Sequence, residues 1–162
     1  GTVRRDNPFL TSRGQSNPEP IRVVFSKSLN LPKDLSIWDT SQARTVIAYG
    51  PDIAKEALDQ LPRGPEKIQL RSSEPAELLN SLAAMGCNSV LWECGPKLAS
   101  VAIQGGCVQE IAMMLAPKLL GGFPAGSPLS DLGFDSVDQA FNLQPISKKG
   151  FGEDLLVRAL FE

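Results

Sequence analysis

The fold of this chain is indicated most clearly by residues 45–82, which read TVIAYGPDIAKEALDQLPRGPEKIQLRSSEPAELLNSL. Thr45 to Tyr49 is an apolar run bounded by turn residues, as is typical of a strand buried on both faces. From Pro51 to Pro62, apolar residues recur at helical spacing. Residues 68–70 then alternate as a short strand. A strand, a helix and a second strand in this order predict a parallel pair with a right-handed crossover.

The same alternation extends in both directions along the chain. Residues 23–25 form a second run that we interpret as an inner strand, and Pro75 opens a helix that Gly86 ends. The remaining predicted elements are a strand at 89–93, a helix at 97–104, an extended segment at 108–116, and two strands at 140–147 and 154–161 that most simply pair as a hairpin. The chain is therefore predicted to be a single α/β domain over residues 1–162, with three α/β/α layers and a mainly parallel sheet that ends in an antiparallel C-terminal edge.

The composition excludes several classes of function. The 162 residues contain 16 Lys and Arg against 18 Asp and Glu, a net charge of −2 that argues against a protein that coats nucleic acid. The absence of histidine removes Ser-His and Cys-His nucleophiles together with the commonest zinc ligand, and we predict no metal site. The three cysteines show no CxxC spacing, and no apolar run reaches the roughly 18 residues of a membrane span. We expect a protein of the cytoplasm, or of the plastid stroma if it comes from a plant, that binds neither nucleic acid nor membrane.

Two segments are candidate binding sites. Residues 91–99, LWECGPKLA, lead from a predicted strand through a Gly-Pro turn into a helix, whose first N–H groups would suit a pyrophosphate. The alternative interpretation is a plain turn, since the chain contains neither GxGxxG nor GxxxxGK[ST]. Residues 1–13, GTVRRDNPFLTSR, are predicted to form an irregular polar loop in which Arg13 would pair with a substrate phosphate. The alternative for this segment is a solvated terminal loop.

Four stretches of the chain, taken together, are similar to one known family. They are Gly1-Thr2, Asp6, Pro8, Leu10-Thr11 and Arg13 at the start of the chain, PIRVV at 20–24, LWECGPKLA at 91–99, and APKLLGG at 116–122. In this order they resemble the reductase domain of riboflavin biosynthesis, over nearly the whole chain. The resemblance implies a dihydrofolate-reductase-like fold and the NADPH-dependent reduction of 5-amino-6-(5-phosphoribosylamino)uracil to the 5-phosphoribitylamino compound.

The resemblance also implies roles for individual residues. Thr2 and Asp6 would contact the nicotinamide nucleotide, Leu10 and Arg13 would contact the substrate, and Glu93 matches an acidic position that contacts the substrate. Lys27 lies where the chain departs from the family, and its role is inferred from its charge: it would help to hold the cofactor 2′-phosphate, the favoured alternative being a solvent-exposed lysine. The helix start that would hold the cofactor consists of Gly95, Pro96, Lys97, Leu98, Ala99, Ser100 and Val101. Asp6 and Glu93 are the candidate catalytic residues, either relaying a proton or, as we favour, positioning the reactants.

The chain departs from the family pattern in three places. Cys94 stands where the family has a small residue, and Ser26-Lys27 replaces an acidic-then-serine pair. Family members also carry a further strand, helix and strand before Gly1, so we expect this chain to lack that segment and not to form a competent enzyme by itself.

Partners and alternatives follow from the same resemblance. We expect a homodimer, and in some relatives the domain follows a deaminase. Two other functions stay open: a reductase of another pteridine or pyrimidine substrate, and a catalytically inactive nucleotide-binding or assembly module of the same fold.

Overall fold

The computed structural model of the chain describes residues 1–119 and 126–162. The helices are α1 (Thr2–Asp6), α2 (Lys55–Asp59), α3 (Pro75–Ala84) and α4 (Pro96–Gln104), with single 3-10 turns at Ser36–Trp38 and Val137–Gln139. The strands are β1 (Arg22–Ser26), β2 (Thr45–Tyr49), β3 (Glu66–Gln69), β4 (Glu110–Leu115), β5 (Leu143–Phe151) and β6 (Asp154–Phe161). The chain divides into two compact units, Gly1–Cys94 and Gly95–Glu162.

The first unit is built on a parallel sheet in the order β1-β2-β3. The register sets Val24 opposite Ile47 and Ala48 opposite Ile68. Every residue of β2 is buried, which confirms the prediction of an inner strand at 45–49. The strand predicted at 23–25 is confirmed as β1. However, β1 lies at an edge of this described sheet and is only partly buried, so the prediction that it is an inner strand is wrong.

Alternate residues of β2 supply two separate hydrophobic clusters, because successive side chains of a strand point to opposite faces. Ile47 and Tyr49 belong to the first cluster, with Val24, Leu29, Leu35, Ile37 and Leu61. Ala48 belongs to the second, with Leu70, Leu78 and Leu82. Helix α3 supplies Leu78 and Leu82 to this cluster, each burial being worth roughly 2 kcal/mol. Gly86, at φ +88°, follows the helix end, as predicted.

Three predictions about the first unit need correction. The helix expected from Pro51 to Pro62 forms only over Lys55–Asp59. Residues 51–52 make a turn instead, and Ala54 is the N-cap residue. The one-turn helix α1 replaces part of the irregular loop expected at 1–13. The strand predicted at 89–93 is wrong: no described strand pairs with this segment, and Leu91 is 79% exposed.

The second unit is built on an antiparallel sheet in the order β4-β6-β5. Strands β5 and β6 form the predicted hairpin, with Phe151 opposite Asp154 and Gly152 at φ +61° in the turn. A register irregularity lies between Pro145 and Ser147 on the edge strand β5, where a proline is tolerated because its missing N–H breaks no inner ladder. Helix α4 agrees with the prediction at 97–104, and β4 with the extended segment at 108–116.

The α/β class is confirmed, but the strands are divided between a parallel and an antiparallel sheet rather than forming one mainly parallel sheet. The segment 89–93, predicted as a further strand, makes no ladder in the described structure. Among residues 1–119 and 126–162, no helix is long and apolar enough to cross a membrane, and no group of three or more acidic or cysteine side chains is arranged to hold a metal ion.

Candidate active-site residues

Helix α1 carries the first two predicted site residues. Thr2 and Asp6 are four residues apart on this helix, and Asp6 is exposed and forms a long 3.9 Å ion pair with its neighbour Arg5. Asn7 ends the helix in the left-handed region at φ +41°, and its Oδ1 accepts a 2.7 Å hydrogen bond from the backbone N–H of Ser36. The orientation of α1 is therefore fixed at its C-terminal end by a contact to a distant loop.

Leu10 and Arg13, the predicted substrate contacts, both have left-handed backbones, at φ +51° and φ +53°. Leu10 packs against the first hydrophobic cluster, whereas Arg13 is exposed. A non-glycine residue in this region costs on the order of 1–3 kcal/mol, and such strain tends to concentrate at functional sites. The loop is thus held in an unfavourable conformation that presents Arg13 to solvent.

Arg22 ties this loop to the rest of the first unit. Its side chain is 1% exposed, and its guanidinium donates to the carbonyls of Phe9 (3.3 Å), Ile37 (3.4 Å), Asp39 (2.7 Å) and Ala43 (3.0 Å). Burial lowers the pKa of Arg22, and the Asp39 carboxylate opposes that shift. The Nε–H is buried without a hydrogen-bond acceptor in the described structure. Arg22 therefore fixes the backbone at Phe9, immediately before Leu10.

Lys27 is exposed and follows the carboxyl end of β1. In open α/β sheets, ligands bind beyond this end of the strands, so the position fits a cofactor contact. The following backbone is held in a tight turn, where the N–H of Leu29 donates to Ser26 Oγ at 3.1 Å and Leu29 has φ +51°.

The segment before α4 contains Glu93 and Cys94. Glu93 is exposed, and the preceding Trp92 packs against the second hydrophobic cluster. Burial raises the pKa of the Cys94 thiol, so the sulfur is protonated at neutral pH and is a poor nucleophile. Cys94 is half-buried.

Helix α4 begins with Gly95 as its N-cap residue and Pro96 in its first turn. In the described chain no side chain caps this helix, so the first-turn N–H groups of Lys97 and Leu98 are left for an external acceptor. Lys97 and Val101 are exposed, while Leu98 and Ala99 are half-buried. Such an uncapped helix start fits an anionic group of a nucleotide.

Ser100 differs from the other predicted cofactor residues because it is buried. Its Oγ accepts from the Ser130 N–H at 2.9 Å and lies 3.4 Å from the Ser130 carbonyl oxygen. The side chain of Gln104 donates to the Leu132 carbonyl at 3.2 Å. These contacts hold the loop at 126–135 against α4.

The structure thus places the predicted residues in two groups, one in each unit. Thr2, Asp6, Leu10 and Arg13 follow one another along a single anchored segment of the first unit, which also contains Lys27 and Glu93 elsewhere. Gly95 to Val101 form the start of one helix in the second unit. Leu120, Gly121 and Gly122, which contributed to the family resemblance, lie outside the described residues.

Three residues that hold the opening segment by hydrogen bonds had no predicted role. They are Asn7, Glu19 and Arg22. Arg22 was visible only as a charged residue opening an otherwise apolar strand. That signal indicates a buried partner but not which carbonyls it binds.

Comparison with known proteins gives consistent relatives. The family described as the RibD C-terminal domain matches residues 1–157. The chain is 39% identical over 156 residues to the riboflavin biosynthesis protein RibD of Synechocystis, covering 96% of this chain and 42% of that protein. It is 34% identical over 162 residues to the chloroplastic riboflavin biosynthesis protein PYRR of Arabidopsis thaliana, covering 99% of this chain and 27% of that one. These two relatives are therefore more than twice as long as the chain.

A shorter relative and a solved structure extend the comparison. The chain is 27% identical over 158 residues to the 2,5-diamino-6-ribosylamino-4(3H)-pyrimidinone 5′-phosphate reductase of Aquifex aeolicus, covering 96% of this chain and 70% of that protein. A crystal structure from Thermotoga maritima, described as a diaminohydroxyphosphoribosylaminopyrimidine deaminase/5-amino-6-(5-phosphoribosylamino)uracil reductase, superposes with a TM-score of 0.80 at 23% identity. That match covers 100% of this chain and 43% of the other, and it supports the fold.

Proposed function

The chain belongs to the RibD C-terminal domain family, and on this basis we propose that it is the NADPH-dependent reductase of 5-amino-6-(5-phosphoribosylamino)uracil in riboflavin biosynthesis. The family match over residues 1–157 carries this proposal. The Aquifex aeolicus relative is described as a reductase of a phosphorylated ribosylaminopyrimidinone, which is the same chemical class of substrate.

Arg13 is proposed to bind the substrate phosphate. It is an exposed cation on a strained and anchored loop, and a guanidinium can make two charge-assisted hydrogen bonds to a phosphate. Leu10 packs on the first hydrophobic cluster and so fixes the backbone three residues before Arg13.

The start of α4 is proposed to hold the cofactor pyrophosphate. Its uncapped N–H groups at Lys97 and Leu98 are donors without a side-chain acceptor in the described structure, which is the chemistry an anion needs. Gly95 leaves no side chain in the way of such a group, and Lys97 adds a positive charge. Thr2 and Asp6 are proposed to contact the nicotinamide nucleotide, and Lys27 the 2′-phosphate that distinguishes NADPH from NADH.

When bound, the cofactor would supply a hydride to C1′ of the ring-opened sugar. The C1′=N double bond of the substrate becomes a C–N single bond, and the nitrogen takes up one proton, so that the ribosyl group becomes a ribityl group. Asp6 and Glu93 are exposed carboxylates that would orient ribose and amide groups or a water that delivers this proton. No nucleophilic side chain is required, in keeping with a chain that has no histidine and whose Cys94 is a protonated thiol.

The proposal is tested by following nicotinamide absorbance in the whole protein with this substrate. We expect oxidation of NADPH at a higher kcat/KM than NADH, and faster reduction of the phosphorylated substrate than of its dephosphorylated form. A preference for dihydrofolate would indicate a reductase of another pteridine. Binding of NADPH without turnover of any of these substrates would indicate the inactive module.

We further propose that the protein is a homodimer. Met114 and Leu115 are 59% and 54% exposed on β4, an edge strand of the second unit's sheet, and two such edges suit a two-fold contact. Light scattering after size exclusion would show a dimer that Met114→Lys converts to a monomer. If the protein comes from a plant, we propose that it is located in the plastid stroma, because the Arabidopsis relative is described as chloroplastic.

A further inference from the structure

Arg13 lies in a turn that its own residue type disfavours. The N–H of Gln15 donates to the carbonyl of Ser12 at 3.1 Å, which closes a four-residue turn with Arg13 and Gly14 at its centre. Both central residues have positive φ, +53° and +78°. Turns of this kind favour asparagine or aspartate followed by glycine, because a long side chain gains nothing there that offsets the strain. Something outside the turn must therefore hold Arg13 in this conformation.

The Glu19 carboxylate binds the turn on both sides of Arg13. Its Oε2 accepts from the Ser12 N–H at 2.7 Å, and its Oε1 accepts from the Ser12 hydroxyl at 2.7 Å and from the Gly14 N–H at 3.2 Å. Ser12 Oγ in turn accepts from the Ser16 N–H at 2.9 Å. Bonds to Ser12 and Gly14, the two neighbours of Arg13, fix the backbone from which the Arg13 side chain extends.

We propose that Glu19 is a positioning residue for substrate-phosphate binding, which acts by holding Arg13 in its left-handed turn. This rests on the proposed function of Arg13. Hydrogen bonds that hold the loop reduce the conformational entropy that phosphate binding would otherwise cost, which favours tight binding.

The sign of the effect separates positioning from simple electrostatics. A carboxylate close to the phosphate site would repel the substrate, so removing its charge by Glu19→Gln should tighten binding if charge alone matters. A glutamine side chain has one acceptor oxygen instead of two, and its NH₂ group cannot accept from the Ser12 N–H. If Glu19 positions Arg13, the same substitution weakens binding.

The test measures Kd for ribose 5-phosphate by calorimetry and KM for the phosphorylated substrate, using the whole protein. The variants are Glu19→Gln, Arg13→Ala, their combination, and Glu56→Gln as a control on the exposed face of α2. We expect Glu19→Gln to raise both constants about fivefold to tenfold, with kcat and the NADPH Kd unchanged. In the Arg13→Ala background it should have no further effect, since Glu19 acts through Arg13.

Two outcomes would overturn the proposal. One is unchanged or tighter ribose 5-phosphate binding in Glu19→Gln. The other is an equal loss with and without Arg13, which would make Glu19 a general support of the loop. Calorimetry does not depend on turnover, so a wild-type protein that fails to oxidise NADPH refutes the proposed reaction while the role of Glu19 is still decided.

Discussion

At the scale of single residues, Arg22 is the side chain whose loss should cost most. Its guanidinium donates to four backbone carbonyls at a buried position, and removing it takes a donor from each of them, the Ala43 carbonyl keeping the Thr45 hydroxyl at 3.3 Å. We predict that Arg22→Met lowers the free energy of unfolding by about 2–4 kcal/mol, measured by urea denaturation.

Arg44 provides the matched control for that experiment. It precedes β2 much as Arg22 opens β1, but it is exposed and pairs bidentately with Glu66 at 2.6 and 2.8 Å. Arg44→Met should change the urea midpoint far less, because exposed ion pairs contribute little. Equal losses in the two variants would show that the carbonyl contacts of Arg22 are not what stabilises the loop.

Arg13→Ala tests the phosphate contact. We expect KM for the phosphorylated substrate to rise by on the order of tenfold to a hundredfold, because charge-assisted hydrogen bonds are lost. The NADPH Kd should stay the same, and KM for a dephosphorylated substrate should hardly change. The exposed Arg63→Ala is the control. An Arg13→Ala enzyme that still discriminates fully for phosphate would place the phosphate elsewhere.

Residues differ in how far the sequence predicts them. Arg13 is predicted from the polar opening segment as well as from a family resemblance, Leu10 is predicted from the resemblance, and the structure adds that both backbones are left-handed. The contacts of Glu19 and Arg22 were not predictable, because a hydrogen bond to a backbone group several residues away leaves no periodic pattern. For Arg22 the partners are 13 to 21 residues distant.

At the scale of elements, the start of α4 is the proposed binding site for the cofactor pyrophosphate. Gly95 has φ −75° and ψ 168°, an extended backbone that any residue adopts, so Gly95→Val introduces no backbone strain. Its branched side chain would crowd an anion at the helix N-terminus, and we predict that the NADPH Kd rises by on the order of tenfold.

The control for Gly95→Val is Gly150→Val at an exposed position of β5, where an added Cβ atom has no neighbour within 4 Å. Fluorescence titration with NADPH should give the wild-type Kd for this variant. If Gly95→Val also binds NADPH as the wild type does, the assignment of α4 to the cofactor is wrong.

Helices and strands are predictable where their own residues contain the signals that start, bury or end them. Strand β2 is buried on both faces and reads as a continuous apolar run, and α3 has a proline at its start and a glycine after its end. The segment 89–93 has a similar apolar pattern but forms no ladder with any described strand, since pairing depends on a partner strand that the segment's own residues do not specify. That requirement is set by other parts of the chain.

At the scale of the whole molecule, four carboxylates link stability to pH. Hydrogen bonds from Ser12 lower the pKa of Glu19, those from Ser41 lower that of Asp39, and the arginine partners Arg44 and Arg158 lower those of Glu66 and Glu110. A carboxylate with a lower pKa in the folded state stabilises that state above its ordinary pKa, and this contribution is lost as the pH falls below it.

We therefore predict that the free energy of unfolding is level near neutral pH and declines as the pH falls through about 4.5, the ordinary value for glutamate. The double variant Glu66→Gln/Glu110→Gln should show a shallower decline in urea denaturation at low salt. Glu153→Gln, at an exposed position, should retain the wild-type slope. Stability that rises on acidification would contradict the assignment.

The proposed reaction transfers a hydride from NADPH to the sugar of a phosphorylated ribosylaminopyrimidine. The most direct measurement is mass spectrometry of the product formed by the whole protein from NADPH deuterated at C4 on one face or the other. We predict that one of the two labelled cofactors places a single deuterium on C1′ of a ribitylamino product. A product without deuterium from either cofactor, or a deuterium on the pyrimidine ring, would rule out hydride transfer to C1′.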